Sequence, residues 1–409
     1  MVQLDTIAFN HDSSAATHDA INLRKNASTW LPVPEWQRGV SVLAEDSMAA
    51  YAVAQIGSNP VSIRATLSCT NPAIHHAWVR ALDAVVDPPP PAGCLGWLVW
   101  LIRAIVRALV GNVLGEVRAR KVTFTAGQSG TVVFDLAYTK LAHAPVGPHT
   151  TKWRWQYRLH KGSWVDFEQT EHRIFVLVDV PTAPWQQTPY QQSNTQLPWT
   201  DVLKYSCQWG LGATTREAAA AGVTRGVYEL GPGVVTYDCP GGGSSHYSWG
   251  GFDCTAFIER LQGGLGNGYY VNCSDCATFV STFANSLGCD LWQSRMSDSF
   301  SSFGLNPMLG IGSTTWEPCC HGEPGWGDAF SYHEVAWTAG CTASDRVYDG
   351  CLQVDGDADP TGPPHTALLP TDMVFGNTGD GLYRDRLATP SGRPHCNPQP
   401  PTRQRRPVS

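Results

Sequence analysis

Two cysteines stand three residues apart at the head of a helix-like stretch, NCSDCATFVSTFANSLG, at residues 272–288. Asn272 is a favourable N-cap, and Asp275 completes a capping-box pattern. Cys273 then lies in the first turn, where free N–H groups and the helix dipole favour a thiolate and can stabilise an oxyanion. Cys276 lies one turn deeper beside an apolar stripe, where burial favours the neutral thiol. Cys273 is therefore the predicted nucleophile.

A thiolate needs a base, and His333 is the histidine with the most informative surroundings. It lies in FSYHEVAW (330–337), which is typical of a strand, and a second strand, DRVYDGCLQVD, carries Asp349. If the two strands pair about a loop centred near residue 341, His333 and Asp349 face each other, about 5 Å apart at Cβ. Asp349 would then hold the imidazole Nδ1–H and leave Nε2 to face the thiol. Cys273, His333 and Asp349 are thus the predicted nucleophile, base and orienting carboxylate.

Three other functional hypotheses are considered for these and nearby residues. A redox dithiol at Cys273 and Cys276 needs a βαβ setting that the preceding GGLGNGYYV does not favour. A zinc site would add Cys319, Cys320 or His321, but adjacent cysteines have poor ligand geometry. The alternating carboxylates of DGDADP (355–360) resemble the start of a calcium loop, with Pro360 where glycine is needed. No metal and no cofactor is expected.

Composition narrows the class of protein. Of the 409 residues only 15% are charged, whereas about 25% is usual, and Gly, Pro and Trp are abundant. A net charge of −7 without a basic stripe argues against nucleic-acid binding. The first twenty residues contain no basic segment followed by an apolar one, and the 13 cysteines are an odd number. Reduced thiols in the cytoplasm are the default expectation, with export by a signal-independent route left open.

The N-terminal half is rich in predicted strands. In TKWRWQYRL the residues Trp153, Trp155, Tyr157 and Leu159 alternate with polar ones, the period of a half-buried strand. The same strand pattern is found in HRIFVLVDV, KVTFTAG and VSIRATLS. Several such strands separated by turns predict an antiparallel β-sandwich domain at residues 1–185, followed by a Gln- and Pro-rich linker.

One apolar segment interrupts this pattern and predicts a helical insertion near residues 94–118. Arg103 and Arg107 make its uncharged part too short to span a bilayer. An apolar stripe on the helix at 95–110 is expected to pack on the sandwich or on the other domain; membrane-surface or partner binding stays open. The stripe consists of Leu98, Leu101, Ile102 and Ile105.

The C-terminal half contains predicted helices as well as predicted strands. Two helix-like segments precede the cysteine helix, and strands around His333 and Asp349 follow an irregular Gly- and Pro-rich passage. Helices followed by strands, without βαβ alternation, predict an α+β domain at residues 196–395. Residues 396–409 contain three arginines among prolines, and a disordered basic tail is expected there.

The two motifs together resemble the transglutaminase-like superfamily. CSDCATFVSTFANSLG is similar to its nucleophile helix, with Cys273 at the cysteine position, and HEVAW…VYD is similar to its His strand with an Asp some sixteen residues later. The resemblance covers residues 200–360 at most and implies a papain-like α+β catalytic domain. The aromatic residue usual before the Asp is replaced by Asp345 and Arg346. The aromatic that helps to form the oxyanion hole in some members has no certain counterpart, Trp249 being a guess.

The predicted function is acyl transfer through a thioester at a protein or peptide substrate. A primary amine as second substrate would make the chain a transglutaminase, and water would make it a protease, deamidase or amidase. The sequence leaves these open, because the shape of the cleft selects the acceptor. An alternative from another class is a binding or adaptor protein whose sandwich is the working part and whose papain-like domain is inactive. Faster alkylation of one cysteine than of the others would distinguish an active site from that alternative.

Overall fold

The computed structural model describes residues 1–10, 19–56, 61–84, 112–160, 162–186, 196–238, 243–298, 301–316 and 329–409. The described residues form two compact units, divided near residue 180. The first unit holds the described residues up to 180 except 26–28, and the second holds 26–28 and the described residues from 181 to 409. The described residues contain mainly antiparallel strands and fewer helices, which is compatible with the mixed α+β class.

The first unit is built on a nine-stranded sheet with the order β2-β1-β4-β7-β6-β5-β8-β9-β3. Neighbours are antiparallel except β3 and β9, which are parallel. A short helix α1 (Val53–Ile56) follows β3, and single 3₁₀ turns span Ala44–Asp46 and Leu141–His143. The strands are β1 (Val2–Ala8), β2 (Trp36–Gln37), β3 (Met48–Ala52), β4 (Ser62–Cys69), β5 (His76–Asp83), β6 (Glu116–Thr123), β7 (Gln128–Ala137), β8 (Gly147–Arg158) and β9 (Val165–Leu177).

The sheet curls around one apolar core. Strands β6 and β7 pair only through Glu116 with Ala137 and Val117 with Leu136, and this short pairing joins the two halves of the sheet. Inner side chains from both halves pack in the same cluster. Trp153 and Trp155 of β8 are fully buried there, as their alternation predicts. The predicted sandwich of two sheets is thus replaced by one continuous sheet that encloses its core.

A buried histidine belongs to this core. His172 of β9 lies against the rings of Phe9 and Trp153, with centroids 4.9 and 5.2 Å away. Its Nδ1 is 2.8 Å from Ser47 Oγ and its Nε2 is 2.8 Å from Thr170 Oγ1. Burial lowers the pKa of His172 to about 3, because a charged ring would be taken out of water without a carboxylate to balance it.

Most of the helical insertion predicted near residues 94–118 lies outside the described residues. Residues 94–111, and with them the stripe at 95–110, lie outside the described residues. From Glu116 onward the chain is strand β6 and not helix. Gly115 has φ +68°, and a Cβ there would lie 2.1 Å from the Ala137 carbonyl oxygen. This close approach requires glycine and ends any helix before β6.

The second unit contains five helices among its described residues. They are α2 (Thr200–Trp209), α3 (Arg216–Tyr228), α4 (Cys254–Leu261), α5 (Cys273–Ser286) and α6 (Tyr383–Leu387), with a 3₁₀ turn at Arg393–His395. Helix α5 packs against α2, α3 and the strands Trp292–Ser297 and His333–Trp337, and all its residues are buried. The predicted apolar stripe therefore understates its burial, because α5 is the central helix of the unit. No helix in the described part of the chain is long and apolar enough to cross a membrane.

The strands of the second unit are short. The main sheet is antiparallel, with the order β20-β17-β16-β12-β21. Smaller sheets pair β10 with β11, β13 with β15, and β14, β18 and β19 in that order. The bounds are β10 (Thr236–Tyr237), β11 (Tyr270–Val271), β12 (Trp292–Ser297), β13 (Phe303–Gly304), β14 (Met308–Gly310), β15 (Ala329–Phe330), β16 (His333–Trp337), β17 (Arg346–Tyr348), β18 (Leu352–Asp355), β19 (Ala367–Leu368), β20 (Thr371–Val374) and β21 (Asn397–Gln404).

The prediction of a disordered tail at residues 396–409 is wrong. Residues 397–404 form β21, which pairs with β12 at the edge of the main sheet. An edge strand tolerates prolines because one side of its backbone needs no ladder partner. Beyond it Arg406 is buried, and Ser409 exchanges backbone hydrogen bonds with Phe252 and Thr255. The second unit therefore continues through these residues.

Candidate active site

Cys273 is the first residue of α5, as the capping pattern predicts. Asn272 accepts a hydrogen bond from the Asp275 N–H at 3.0 Å, and the Asp275 carboxylate accepts one from the Asn272 N–H at 3.1 Å. The first helical bond runs from the Cys276 N–H to the Asn272 carbonyl. This cap leaves the N–H groups of Cys273 and Ser274 pointing out of the helix start for another acceptor. The Cys273 side chain is 5% exposed.

Asp275 also anchors a loop against the start of α5. Its carboxylate accepts hydrogen bonds from the backbone N–H groups of His246, Tyr247 and Ser248 at 2.9–3.0 Å, and from the Ser248 hydroxyl at 2.8 Å. Burial raises the pKa of Asp275, and these donors partly offset that shift. The sequence predicts only the bond to Asn272. Asp275 thus fixes the loop beside the predicted nucleophile.

His333 and Asp349 are brought together in a buried ion pair. The His333 Nε2 lies 2.9 Å from Asp349 Oδ2, and both side chains are almost fully buried. Phe330 stacks on the imidazole with centroids 5.2 Å apart and planes 14° apart. The ring is therefore held on one face by an aromatic and at one edge by a carboxylate.

The strand register behind this contact differs from the predicted one by two residues. Ala336 pairs with Tyr348 and Trp337 with Val347, so the hairpin is centred near residue 342. Asp349 directly follows β17 and lies diagonally from His333 instead of opposite it. A shift of two residues keeps every side chain on its face of the sheet, and diagonal neighbours are within reach of long side chains. The contact survives the change of register for this reason.

The prediction of which imidazole nitrogen meets Asp349 is wrong. Asp349 reaches the ring diagonally, at Nε2, the nitrogen further from the backbone. Nδ1 is buried and has no hydrogen-bond partner among the described residues. Nδ1 is thus the nitrogen left for the Cys273 thiol, whose interaction with the imidazole adds to the stabilisation of the charged ring.

The electrostatics favour a charged imidazole. Burial alone would lower the pKa of His333, but the Asp349 carboxylate and, secondarily, the Cys273 thiol outweigh burial and raise that pKa to about 10. At neutral pH the ring is therefore stable as an imidazolium. A charged imidazole beside a cysteine stabilises the thiolate, which is the reactive form.

Two partners of Asp349 were not predicted. The Tyr383 hydroxyl donates to Asp349 Oδ2 at 2.7 Å, and the Cys351 N–H donates to Oδ1 at 2.8 Å. The second contact is an Asx turn, which the sequence Asp-Gly-Cys could have indicated. Tyr383 comes from α6, 34 residues along the chain, and no local pattern marks it. The two donors hold the carboxylate in place for His333.

The alternative hypotheses were a redox dithiol, a zinc site and a calcium loop. Cys273 and Cys276 are not joined to each other by a disulfide, and Cys276 is buried beside Cys351 with its thiol pKa raised by burial. The carboxylate of Asp355 accepts from the Asp357 and Thr366 N–H groups and contacts His365 Nδ1 at 2.7 Å. No cluster of three or more metal-ligating side chains occurs in the described ranges. Cys319, Cys320 and His321 lie outside those ranges.

Trp249 does not take the place suggested for it. It follows the loop that Asp275 anchors, but its side chain is 88% exposed. An indole so exposed is not packed over a nucleophile that is almost completely buried. The structure therefore offers the N–H groups at the start of α5, and not the Trp249 side chain, as candidate oxyanion donors.

No family model matches the sequence, and no curated protein matches it. Among solved structures, the transglutaminase of red sea bream is a weak neighbour, with 13% identity and a TM-score of 0.33. That match covers 82% of this chain and 50% of the other, so the chain spans half the length of that protein. A likeness of this strength assigns neither family nor activity, and the site is interpreted from its own residues.

Proposed function

We propose that the second unit is a transglutaminase-like cysteine acyltransferase or hydrolase, with Cys273 as nucleophile, His333 as base and Asp349 as orienting carboxylate. The observation that carries the proposal is the buried His333–Asp349 pair, 2.9 Å long, whose free nitrogen is left for a cysteine in the first turn of α5. A structural histidine needs no such cysteine beside it. The raised pKa of His333 supports the same assignment.

In the acylation step the Cys273 thiolate attacks the carbonyl carbon of a carboxamide or peptide bond. The C–N bond of the tetrahedral intermediate then breaks, and the His333 imidazolium gives its proton to the departing ammonia or amine. A thioester remains on Cys273. Asp349 stabilises the charged imidazole before the transfer and keeps its tautomer and orientation during it.

The oxyanion of the intermediate is assigned to the backbone at the start of α5. The N–H groups of Cys273 and Ser274 are not used by the Asn272 cap, and the positive end of the helix dipole lies there. Such donors are fixed before the reaction, so little reorganisation is needed when charge develops.

In the deacylation step an acceptor attacks the thioester and gives its proton to His333, and Cys273 leaves as the thiolate. An amine acceptor gives a new amide, which is the transglutaminase reaction. Water gives a carboxylic acid, which is deamidation or proteolysis according to the donor. The proposed partners are a protein or peptide substrate and, for the transfer reaction, a primary amine.

The test is mass spectrometry of glutamine-containing peptides incubated with the full chain, with and without a primary amine. Amine addition with loss of ammonia identifies transfer, replacement of the carboxamide by an acid identifies deamidation, and shortened peptides identify proteolysis. The Cys273→Ala variant should show none of these products. A wild-type protein that gives no product, and whose Cys273 is alkylated no faster than its other cysteines at neutral pH, would refute the proposal in favour of an inactive domain attached to a binding module.

A further inference from the structure

A second buried charge lies directly beside the proposed site. Glu334 follows His333 in β16 and is fully buried. Its Oε2 accepts a hydrogen bond from the hydroxyl of Ser274, the neighbour of Cys273, at 2.6 Å. The two residues that adjoin the predicted nucleophile and base along the chain are thus bonded to each other.

Arg406 supplies the counter-charge. Its guanidinium donates to Glu334 through Nη1 to Oε1 at 2.7 Å and Nη2 to Oε2 at 3.1 Å. This is the two-pronged geometry in which arginine binds carboxylates most strongly. Burial opposes the charged form of Glu334, but Arg406 outweighs it and lowers the pKa of that carboxyl. The pair is therefore ionised.

The same guanidinium reaches two more elements. Arg406 Nη1 lies 3.0 Å from Thr278 Oγ1 in α5 and 3.0 Å from Gln293 Oε1 in β12, and the Arg406 N–H donates to Gln293 at 3.1 Å. One side chain thus links the helix that carries Cys273, the strand that carries His333 and the strand between that one and β21.

We infer that Arg406 is a positioning residue that, through Glu334 and Thr278, sets the distance between Cys273 and His333. The inference rests on the proposed function. Hydrogen bonds to fixed acceptors are directional, so they define where the start of α5 lies against β16 more closely than apolar packing does. Proton transfer between thiol and imidazole depends steeply on this placement, and a misplacement of about 1 Å can cost about 100-fold in rate.

Arg406→Met tests the inference, with Arg405→Met as the matched control. Arg405 is its neighbour in the chain but stacks on Trp292 and pairs with Asp290 instead. Loss of Arg406 leaves Glu334 with Arg295 as its remaining cation, at 3.6 Å, so that single variant can fail to fold. The double variant Glu334→Leu/Arg406→Met removes both charges and keeps the volume, which restores stability in many buried pairs.

The measurements are thermal unfolding, the rate of alkylation of Cys273 by iodoacetamide, and kcat and KM on a peptide that the mass-spectrometric assay shows to be a substrate. The double variant should fold, with kcat and the alkylation rate lower by about 10- to 100-fold and KM nearly unchanged. Arg406→Lys, which restores one donor, should recover part of the loss. Arg405→Met should match the wild type.

The outcomes separate the inference from the proposed function. A folded double variant with wild-type kcat and alkylation rate would show that Arg406 only stabilises the unit, and the inference would fail while the function stood. A wild-type protein that gave no product and whose Cys273 was alkylated no faster than its other cysteines would overturn both.

Discussion

Replacing Asp349 with Asn tests the link between fold and chemistry most directly. The carboxylate accepts at Oδ2 from His333 and Tyr383 and at Oδ1 from the Cys351 N–H. An amide has one acceptor oxygen, so one of these groups must face an NH₂ group. If that group is His333, its nitrogen Nε2 becomes an acceptor and the proton moves to Nδ1, where the thiol needs a base. If it is the Cys351 N–H, a buried donor is left without a partner.

The magnitude follows from the pKa of His333. The Asp349 carboxylate and the Cys273 thiol raise this pKa to about 10 from an ordinary 6.5, which favours the charged ring. Without the carboxylate, burial pulls this pKa back to its ordinary value or below it. Each unit lost costs up to tenfold in the population of the thiolate–imidazolium pair. We expect kcat/KM to fall by about 100- to 3,000-fold.

The assay is the rate of alkylation of Cys273 between pH 5 and 10, measured by peptide mapping beside kcat/KM. At neutral pH the alkylation rate should be lower in Asp349→Asn than in the wild type, because loss of the carboxylate removes stabilisation of the charged His333 ring. Asp355→Asn is the matched control, because it changes another buried Asp–His pair, with His365, in a different sheet. A folded Asp349→Asn protein that kept its activity within tenfold would refute the assignment of Asp349.

Two further predictions concern single side chains. Cys273→Ala should abolish turnover, whereas Cys276→Ala should keep most of it and lose on the order of 1 kcal/mol of unfolding free energy through the cavity it leaves. Activity assays and denaturant unfolding of both variants check this. The reverse ordering of the two activities would refute Cys273 as the nucleophile. The pKa of His172 is lower in the folded state than in the unfolded state, so below pH 6.5 the unfolded state binds a proton that the folded state does not. The neutral His172 ring therefore favours the folded state fully above pH 6.5, and this stabilisation is lost as the pH falls toward about 3. His172 should therefore take about 1.4 kcal/mol from the free energy of unfolding of the first unit for each pH unit of fall in that window. The buried Glu35, whose pKa burial raises to about 8, acts in the opposite direction, because its folded form binds the proton. The difference between the wild type and His172→Asn isolates the histidine, and a difference that does not vary with pH would contradict the role of His172.

The sequence predicted what local patterns determine. The start of α5 at Cys273 is confirmed, because the Asn272–Asp275 cap needs only residues within one turn. The pairing of strands around His333 and Asp349 could be predicted because both lie in one hairpin. The error of two residues in its register arose at the loop, whose residues Ala339 and Cys341 adopt positive φ that no glycine marks. The chemical roles of the three residues stay predictions.

The rest depends on contacts between distant residues. Arg406 and its neighbours were taken for a solvated tail, because a basic, proline-rich segment has no internal pattern of structure. Its buried partner Glu334 is 72 residues away in the chain. Tyr383 and the loop at 246–248 likewise gain their roles only from carboxylates that lie elsewhere. The curl of the nine-stranded sheet depends on the two residue pairs between β6 and β7, which alternation alone cannot distinguish from two separate sheets.

The pairing of β21 with β12 also has a consequence for biosynthesis. A ribosome makes Arg406 only 133 residues after Cys273 (406 − 273), which at about 5–20 residues per second means a delay of roughly 7–27 s. During that interval the nascent chain contains Cys273 and His333 without the arginine that we infer to position them. Pairings between strands so far apart in the chain also form slowly after release. On the proposed function, Cys273 and His333 are therefore aligned only after every strand of the main sheet has been made.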